Sequence, residues 1–138
     1  MLVKRSKDEL AASLNNIIAN EQGNITATAH ISENFCAFKG HFPNEPVLPG
    51  ICQIQLVSVL ISKVFNQEFS LKEIRRVKFY NIVCPDDCLN IKCDIVDKIS
   101  DSISLKVMIY KKDESGSEHK VSLIKAIFQL EDKLLNDN

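Results

Sequence analysis

The sequence lacks both a charge imbalance and a long apolar run. Its 17 Lys and Arg residues are matched by 18 Asp and Glu residues, which gives a net charge of −1. Balanced charge argues against a whole-surface attraction to nucleic acid or to anionic membranes. No stretch reaches the roughly 18 consecutive apolar residues of a membrane-spanning helix. The charged residues 1–10 are not followed by the apolar segment of a secretory signal. We therefore expect a cytoplasmic protein that binds neither nucleic acid nor membrane.

The sequence is also short of the cysteine pairs that disulfide frameworks and zinc sites use. It has five cysteines, at positions 36, 52, 84, 88 and 93. An odd number at scattered spacings, without a secretory signal, favours reduced thiols. Cys84 and Cys88 form the tightest cluster, but a zinc site normally needs a second pair. We therefore expect no disulfide, no metal and no cofactor, and interpret the cysteines as small buried residues at strand ends.

Glycine and proline are scarce, and most of them are concentrated in one segment. The chain has four of each, and five of these eight lie in residues 40–50, GHFPNEPVLPG. The segment also carries apolar side chains at Phe42, Val47 and Leu48, unlike an ordinary solvated loop. An ordered loop of this kind either carries function or rigidly connects two elements, and its composition is compatible with both.

A long apolar segment without turn residues follows this loop. Residues 50–65 are too many for a typical strand, so they predict a helix, with Pro49 suited to its first turn. The helix is apolar nearly all round and should be buried. Its few polar side chains fall on one stripe, formed by Gln55, Ser58 and Ser62. Polar groups on a buried helix need partners, so the stripe should face something polar or wet.

Four segments alternate between apolar and polar residues, as expected for antiparallel strands that cover a core on one side. They are residues 25–31, 88–97, 102–111 and 119–130. In the last segment the alternation changes phase, which predicts a β-bulge near residues 123–124. Three polar segments predict hairpins between neighbouring strands. They are residues 84–87, 98–101 and 112–118.

The N-terminal residues fit two structures. Ser6 and Glu9 have the spacing of a capping box, and apolar residues follow at helical spacing. Residues 14–20 also fit a strand that leads into the strand at 25–31, and we adopt this second interpretation. Together the elements predict a single α+β domain over residues 1–138, with one long helix against a mostly antiparallel sheet of five or six strands.

The loop before the helix contains a histidine that can act in catalysis. Histidine is the side chain whose unperturbed pKa makes it a usable base near neutrality, so His41 is a candidate base. The N–H groups of Gly50, Ile51 and Cys52 at the helix start attract anions, and such groups can hold the oxygen of a developing enolate. Gln55 lies one turn further along the helix. A lone histidine is more often structural, so this arrangement alone is only suggestive.

Residues 38–51, FKGHFPNEPVLPGI, closely resemble the signature F-x-G-H-F-P-x-x-P-V-x-P-G-V of the β-hydroxyacyl-(acyl carrier protein) dehydratases. A second block supports the resemblance. Residues 77–79, VKF, and 85–89, PDDCL, are similar to the family's V-K/R-F and P-G-D-x-L. The two blocks have the family's order and separation. The resemblance covers residues 14–131, the expected core of the domain.

The resemblance implies a hotdog fold, in which an antiparallel sheet wraps around one central helix and two protomers form a dimer. It makes His41 the catalytic base and places the thioester carbonyl on the N–H of Gly50. Phe42, Pro49 and Ile51 are implied as further substrate contacts. The implied activity is the dehydration of a 3-hydroxyacyl thioester on an acyl carrier protein, a lyase reaction of fatty acid biosynthesis.

One departure from the family affects this chemistry. The family carries Glu or Asp five positions after the glycine, where this sequence has Gln55. A carboxylic acid can protonate a leaving hydroxyl, whereas an amide only forms hydrogen bonds. Two functions therefore stay open. The first, which we favour, is a dehydratase-like lyase with His41 as the base and Gln55 in place of the acid. The second is a hotdog protein that binds or hydrolyses acyl thioesters without dehydrating them.

The remaining polar candidates have weaker support. We expect Glu45 to be a solvated loop carboxylate rather than a substitute acid, and His30 and His119 to be structural. Cys52 lies where a thiolate would be favoured, but the resemblance makes it a residue that lines the pocket. The basic cluster of the chain consists of Arg75, Arg76 and Lys78. This cluster fits either an acidic carrier protein and its phosphate or an exposed strand face.

Overall fold

The computed structural model describes residues 2–38 and 47–131. Helices and strands account for most of these two ranges. In chain order they are α1 (Leu2–Ser13), β1 (Leu14–Ala19), β2 (Asn24–His30), a short 3₁₀ helix (Cys36–Phe38), α2 (Gly50–Phe65), β3 (Phe69–Phe79), β4 (Cys88–Ile99), β5 (Ser102–Lys112) and β6 (Glu118–Leu130).

The strands form one antiparallel sheet in the order β1-β2-β4-β5-β6-β3. Helix α2 is buried along most of its length, and its apolar residues share one continuous core with the strands. The predicted α+β class and the predicted long helix over residues 50–65 are therefore confirmed. Among the described residues, no helix has the length and apolar character that a bilayer crossing requires.

The alternating segments are strands, as their pattern predicts. In β5, for example, Ile103, Leu105, Val107 and Ile109 are all buried, whereas Lys106 between them is exposed. Each such strand buries one face against α2 and leaves the other to solvent, which is what a period of two requires. The bounds of β2, β4 and β5 agree with the predicted segments to within a few residues.

The irregularity in β6 lies earlier than predicted. Ile109 of β5 pairs with Ser122, and the next residue of β5 pairs with Lys120, so Val121 is the extra residue. Val121 and Ser122 are consequently both buried although they are consecutive. The bulge predicted near 123–124 is therefore wrong by about two residues, because the apolar Leu123 looked like a core position in the sequence but is only half-buried.

One of the three predicted hairpins is wrong. The segments at 98–101 and 112–118 do join neighbouring strands, β4 to β5 and β5 to β6. The segment at 84–87 instead connects β3, at one edge of the sheet, to β4 in its middle. Turn residues indicate that the chain changes direction, but they do not specify which strand it pairs with next.

The N-terminus contains both of the structures that its sequence fits. Helix α1 runs to Ser13, and the predicted strand follows directly as β1. The capping box is wrong, because Ser6 lies inside the helix rather than at its start. The Ser6 hydroxyl and the Glu9 carboxylate have tertiary partners instead. Glu9 Oε2 accepts a hydrogen bond of 2.9 Å from the backbone N–H of Cys36.

Strand β3 carries no clear alternation, and the periodicity of the sequence does not reveal it. It pairs with β6 on one side, and most of its residues are exposed on both faces. Several apolar side chains along it and just after it are well exposed. They are Leu71, Ile74, Phe79, Tyr80 and Ile82. Within the described ranges, the other edge of β3 has no paired strand.

Two serines of the polar stripe on α2 bind the start of β3. Ser58 Oγ donates a hydrogen bond of 2.7 Å to the carbonyl of Phe69, and the N–H of Phe69 donates one of 3.0 Å to Ser62 Oγ. Ser62 in turn donates to the carbonyl of Ser58. The expectation that the stripe needs polar partners is met here by backbone groups, so these two serines have a structural role.

Candidate active site

The candidate site is built around the first turn of α2. Pro49 is the N-cap, with extended backbone angles (φ −60°, ψ 146°) and no side-chain cap. The N–H of Cys52 donates to the carbonyl of Pro49 at 3.0 Å. Within residues 2–38 and 47–131, the N–H groups of Gly50 and Ile51 have no acceptor. Among the described residues, two N–H groups of the helix start therefore lack an acceptor, rather than the three that the sequence predicts.

The side chain of Phe79 covers Gly50. A Cβ atom added to Gly50 would lie 2.5 Å from Cζ of the Phe79 ring and 3.1 Å from two further ring carbons. A side chain at position 50 would therefore force the Phe79 ring to move. Glycine allows this close approach, and Phe79 itself is half-exposed at 51%. Gly50, Ile51 and Phe79 therefore meet at the end of the sheet where α2 begins.

Gln55 lies on the second turn of α2 and is bound by α1. The Ser6 hydroxyl donates a hydrogen bond of 2.6 Å to Oε1 of Gln55. Ser6 is 8% exposed and Gln55 is half-buried. Because the amide oxygen already accepts this bond, the amide N–H₂ group is the part of Gln55 that can donate to another molecule. Sequence reasoning missed Ser6, since it interpreted this residue as a helix cap.

Three of the residues predicted from the loop lie outside the described residues. They are His41, Phe42 and Glu45. Their roles as base, substrate contact and solvated carboxylate stay predictions. The structure brings together the other predicted members of the site, which are Pro49, Gly50, Ile51 and Gln55, on the first two turns of α2.

The thiol of Cys52 is not activated by its place in the first turn. Burial, together with the nearby Cys36, raises the pKa of the Cys52 thiol. Burial also raises the pKa of the Cys36 thiol, and the Glu9 carboxylate adds to that effect. A thiolate at Cys52 is therefore disfavoured at neutral pH. Cys52 is buried in the first turn of α2, and its role as a residue that lines the pocket stays a prediction.

The five cysteines all have free thiols. Cys36, Cys52 and Cys93 are buried, but Cys84 is half-buried and Cys88 is exposed. The interpretation of the cysteines as buried residues at strand ends is therefore wrong for these last two. In the described ranges, no group of three or more His, Cys, Asp or Glu residues is arranged to hold a metal ion.

The other polar candidates lie away from the start of α2 in the chain. His30 Nε2 is 3.3 Å from Asp86 Oδ1, and His119 Nε2 is 2.6 Å from Asp113 Oδ2. Each histidine lies at the end of a strand, and each aspartate lies in a connection between strands. Both histidines are thus used in local contacts. The basic cluster lies on β3, where Arg75 forms an ion pair of 2.8 Å with Glu73.

Two buried polar residues, Gln53 on α2 and Ser122 on β6, were not singled out from the sequence. Gln53 is 3% exposed and Ser122 is fully buried. Among the described residues, neither Oε1 of Gln53 nor Oγ of Ser122 has a hydrogen-bond partner. The available signal in the sequence was an amide within the apolar run of residues 50–61, outside the polar stripe.

Comparisons with known proteins agree with this architecture. A family model described as "ApeI-like: ApeI dehydratase" matches residues 17–119. The chain is 34% identical over 116 residues to the 3-hydroxyacyl-(acyl-carrier-protein) dehydratase FabZ of Enterococcus faecalis, covering 78% of each protein. It is 33% identical over 96 residues to the protein of the same name from Rickettsia typhi, covering 62% of this chain and 66% of that protein. The chain thus spans just under two thirds of the length of this second relative.

A solved structure has the same fold. The dehydratase heterocomplex ApeI:P from Xenorhabdus doucetiae superimposes with a TM-score of 0.65 at 22% identity. The match covers 84% of this chain and 96% of that one. The antiparallel sheet with α2 on its inner face is therefore a hotdog fold, and the fold implied by the loop motif is confirmed.

The contact between Gly50 and Phe79 leads to a first prediction. Gly50→Ala should destabilise the protein by about 1–3 kcal/mol, because the new methyl group overlaps the Phe79 ring. In a Phe79→Leu background the same substitution should cost clearly less, since the shorter side chain leaves room. Thermal or denaturant unfolding of the four proteins in this cycle measures the difference. An equal cost in both backgrounds would show that the Phe79 ring does not exclude the side chain.

Proposed function

The chain belongs to the ApeI-like dehydratase family, and from this premise we propose that it dehydrates 3-hydroxyacyl thioesters carried by an acyl carrier protein. The observation that carries the proposal is the extended similarity to FabZ enzymes, 34% over 116 residues. The helix start supports it, because Gly50 and Ile51 leave two N–H groups free within the described ranges. The protein would act as one hotdog domain over residues 1–138, with no cofactor.

In the proposed reaction, the thioester carbonyl accepts a hydrogen bond from the N–H of Gly50. His41 removes a proton from C2, and the developing enolate oxygen is stabilised by that N–H group. The C3–O bond then breaks, and the hydroxyl leaves as water. The proton that His41 took from C2 completes the leaving water, either directly or relayed through a water held by the amide of Gln55. Phe42, Pro49 and Ile51 would line the path of the acyl chain.

The presence of Gln55 in place of a carboxylic acid supports a second candidate function. An amide does not titrate in the useful range, so it cannot supply the proton that a carboxylic acid at this position would supply. A hotdog protein with this substitution could bind acyl thioesters or hydrolyse them without dehydration. The two functions leave different products, since hydrolysis releases a free thiol and dehydration does not.

One assay separates the two functions. The protein is incubated with a 2-enoyl thioester such as crotonyl-pantetheine, and the reverse reaction, hydration, is followed by loss of the enoyl absorbance. Formation of the 3-hydroxyacyl thioester without free thiol supports the dehydratase. Release of free thiol supports the thioesterase. If neither product forms over a range of chain lengths, the proposed dehydratase activity is wrong.

The exposed edge of β3 leads to a prediction of the oligomeric state. A sheet edge with exposed apolar side chains is normally paired or covered, and a two-fold contact is the commonest solution. We therefore expect a homodimer, or a higher assembly, joined through β3. Light scattering coupled to size-exclusion chromatography should give at least twice the monomer mass of 15.6 kDa.

A matched pair of variants locates the contact. Ile74 on β3 and Val96 on β4 are both exposed and apolar, at 45% and 67%. Ile74→Glu should dissociate the assembly, whereas Val96→Glu should leave it intact. A 15.6 kDa species of the wild type at micromolar concentration would contradict the prediction.

His41 is expected to be the residue whose loss reduces activity most. His41→Ala should lower enoyl-thioester hydration by about 10²-fold or more, because a positioned base commonly contributes that much. The melting temperature should hardly change. His119→Ala is the control, since His119 contacts Asp113 in a hairpin and should not affect the reaction. A large loss of stability with activity retained would instead make His41 a structural residue.

Gln55→Glu should raise dehydratase turnover, by about tenfold, which equals about 1.4 kcal/mol of activation free energy. The substitution restores an acid at nearly constant volume. Partial burial raises the pKa of a carboxyl group at this position, while the hydrogen bond from Ser6 lowers it. Removing that bond with Ser6→Ala should therefore shift the basic limb of the pH–rate profile of Gln55→Glu to higher pH. Unchanged or lower turnover of Gln55→Glu would show that no acid is needed at this position.

A further inference from the structure

Two polar side chains are buried near the start of α2 without partners. Gln53 is 3% exposed and Ser122 is 0% exposed, and within residues 2–38 and 47–131 neither Gln53 Oε1 nor Ser122 Oγ forms a hydrogen bond. A buried polar atom without a partner lowers stability, because it has given up its hydrogen bonds to water. Nearly all buried polar groups are satisfied, so two such atoms in one region require an explanation.

The sheet register places Ser122 on the face that contacts α2. Ser122 pairs with Ile109 of β5, which is fully buried, and with Phe79 of β3. Residues that pair across neighbouring antiparallel strands point to the same face of the sheet. Phe79 reaches α2 at Gly50, where its ring lies in close contact with the backbone. Ser122 therefore faces the first turns of α2 from the adjacent strand.

Gln53 lies in the same corner from the side of the helix. It follows Gly50 by three residues, which is about 4.5 Å along the helix axis. Side chains on a helix lean toward its N-terminus, so the Gln53 amide is directed back over the turn that Phe79 covers. Gln53 and Ser122 thus lie on opposite sides of the interior between α2 and the β3–β6 end of the sheet.

The unpartnered atoms define the chemistry of a group that would satisfy them. Oε1 of Gln53 can only accept a hydrogen bond, whereas Oγ of Ser122 can donate or accept one. A hydroxyl group meets both needs, because it can donate to Gln53 and accept from Ser122. A methyl or methylene group meets neither.

We propose that Gln53 and Ser122 form a subsite for a second hydroxyl group, carried by the acyl chain beyond C3. The proposal rests on the proposed function, in which the thioester carbonyl binds at Gly50. Gln53 faces the sheet from α2 and Ser122 faces α2 from the sheet, and both are more deeply buried than Gly50. A chain anchored at the helix start would reach them after its reacting carbons. The subsite would select acyl thioesters with a polar chain over simple alkyl chains of the same length.

Binding is measured by calorimetry with amide analogues of acyl-pantetheine, in which nitrogen replaces the thioester sulfur. These probes are saturated and lack the C3 hydroxyl, so the protein can neither dehydrate them nor hydrolyse them as thioesters. Chains of increasing length are compared, each with a terminal hydroxyl or a terminal methyl group. At the length that reaches the subsite, we expect the hydroxyl-ended probe to bind about tenfold more tightly, equal to about 1.4 kcal/mol.

Gln53→Leu and Ser122→Ala should each abolish this preference without weakening the methyl-ended probe. The double variant should lose no more than either single variant, because both residues bind the same hydroxyl group. Replacing an unpartnered polar group by an apolar one should leave the melting temperature unchanged or raise it. Ser58→Ala is the control, since Ser58 has a partner in Phe69. It should lower the melting temperature and leave the preference intact.

Three results would overturn the proposal. They are the absence of a preference at every chain length, additive losses in the double variant, and melting temperatures of Gln53→Leu and Ser122→Ala that fall as far as that of Ser58→Ala. The last result would show that these side chains have structural partners in the native protein, such as a bound water. The binding test does not depend on turnover. A preference without enoyl hydration would leave the subsite standing and refute the dehydratase activity, and the reverse result would refute only the subsite.

Discussion

Strand β3 is attached to helix α2 near both of its ends, and the position of the candidate site depends on these two contacts. At the beginning of the strand, Ser58 and Ser62 bind the backbone of Phe69. At its end, the ring of Phe79 rests on Gly50. The chain reverses between α2 and β3, so the two contacts lie near opposite ends of both elements. Together they fix the distance between α2 and β3 and prevent the two from shifting along each other. The N–H groups of Gly50 and Ile51, which have no acceptor in the part of the chain that the structure describes, are thereby held against one end of the sheet.

This arrangement also explains why the edge strand keeps its place although most of its side chains are exposed. Strand β3 gains little from burial of its own residues, since only Phe69 is fully buried along it. Its position comes instead from the ladder with β6 and from the contacts with α2. A strand held in this way can present apolar side chains such as Ile74 outward, which is the arrangement that the predicted homodimer requires.

The elements that could be predicted from the sequence are those whose pattern is set by burial on one face. The alternation in β2, β4 and β5 is such a pattern. The long apolar run of α2, which is buried nearly all round, is a second kind of signal. Strand β3 lacks this signal because it is exposed on both faces, and only the family motif around residues 77–79 pointed to it. The capping box at Ser6 and Glu9 failed for a related reason. Their spacing is local, but their hydrogen-bond partners, Gln55 and Cys36, are distant in sequence.

Only the residues of the candidate site that belong to a sequence motif could be predicted. The loop signature and the Pro-Gly step identified the helix start, and the departure at Gln55 was visible from its distance to Gly50. The side chains that contact these residues were not predictable, because a contact such as that between Ser6 and Gln55 leaves no periodic trace in the sequence. The same limit applies to Phe79, whose role depends on how β3 returns along α2.

The polar residues of α2 differ in their partners, and this difference separates their roles. Ser58 and Ser62 bind backbone groups, so replacing them changes the fold before it changes any chemistry. The amide oxygen of Gln55 accepts a hydrogen bond from Ser6, which orients the amide. Its N–H₂ group can still donate to another molecule. Gln53 has a buried oxygen without a hydrogen-bond partner in the described ranges, and the proposed subsite rests on that atom. Sequence position alone places all four residues on one apolar helix, so their roles are separated by their partners and not by their positions.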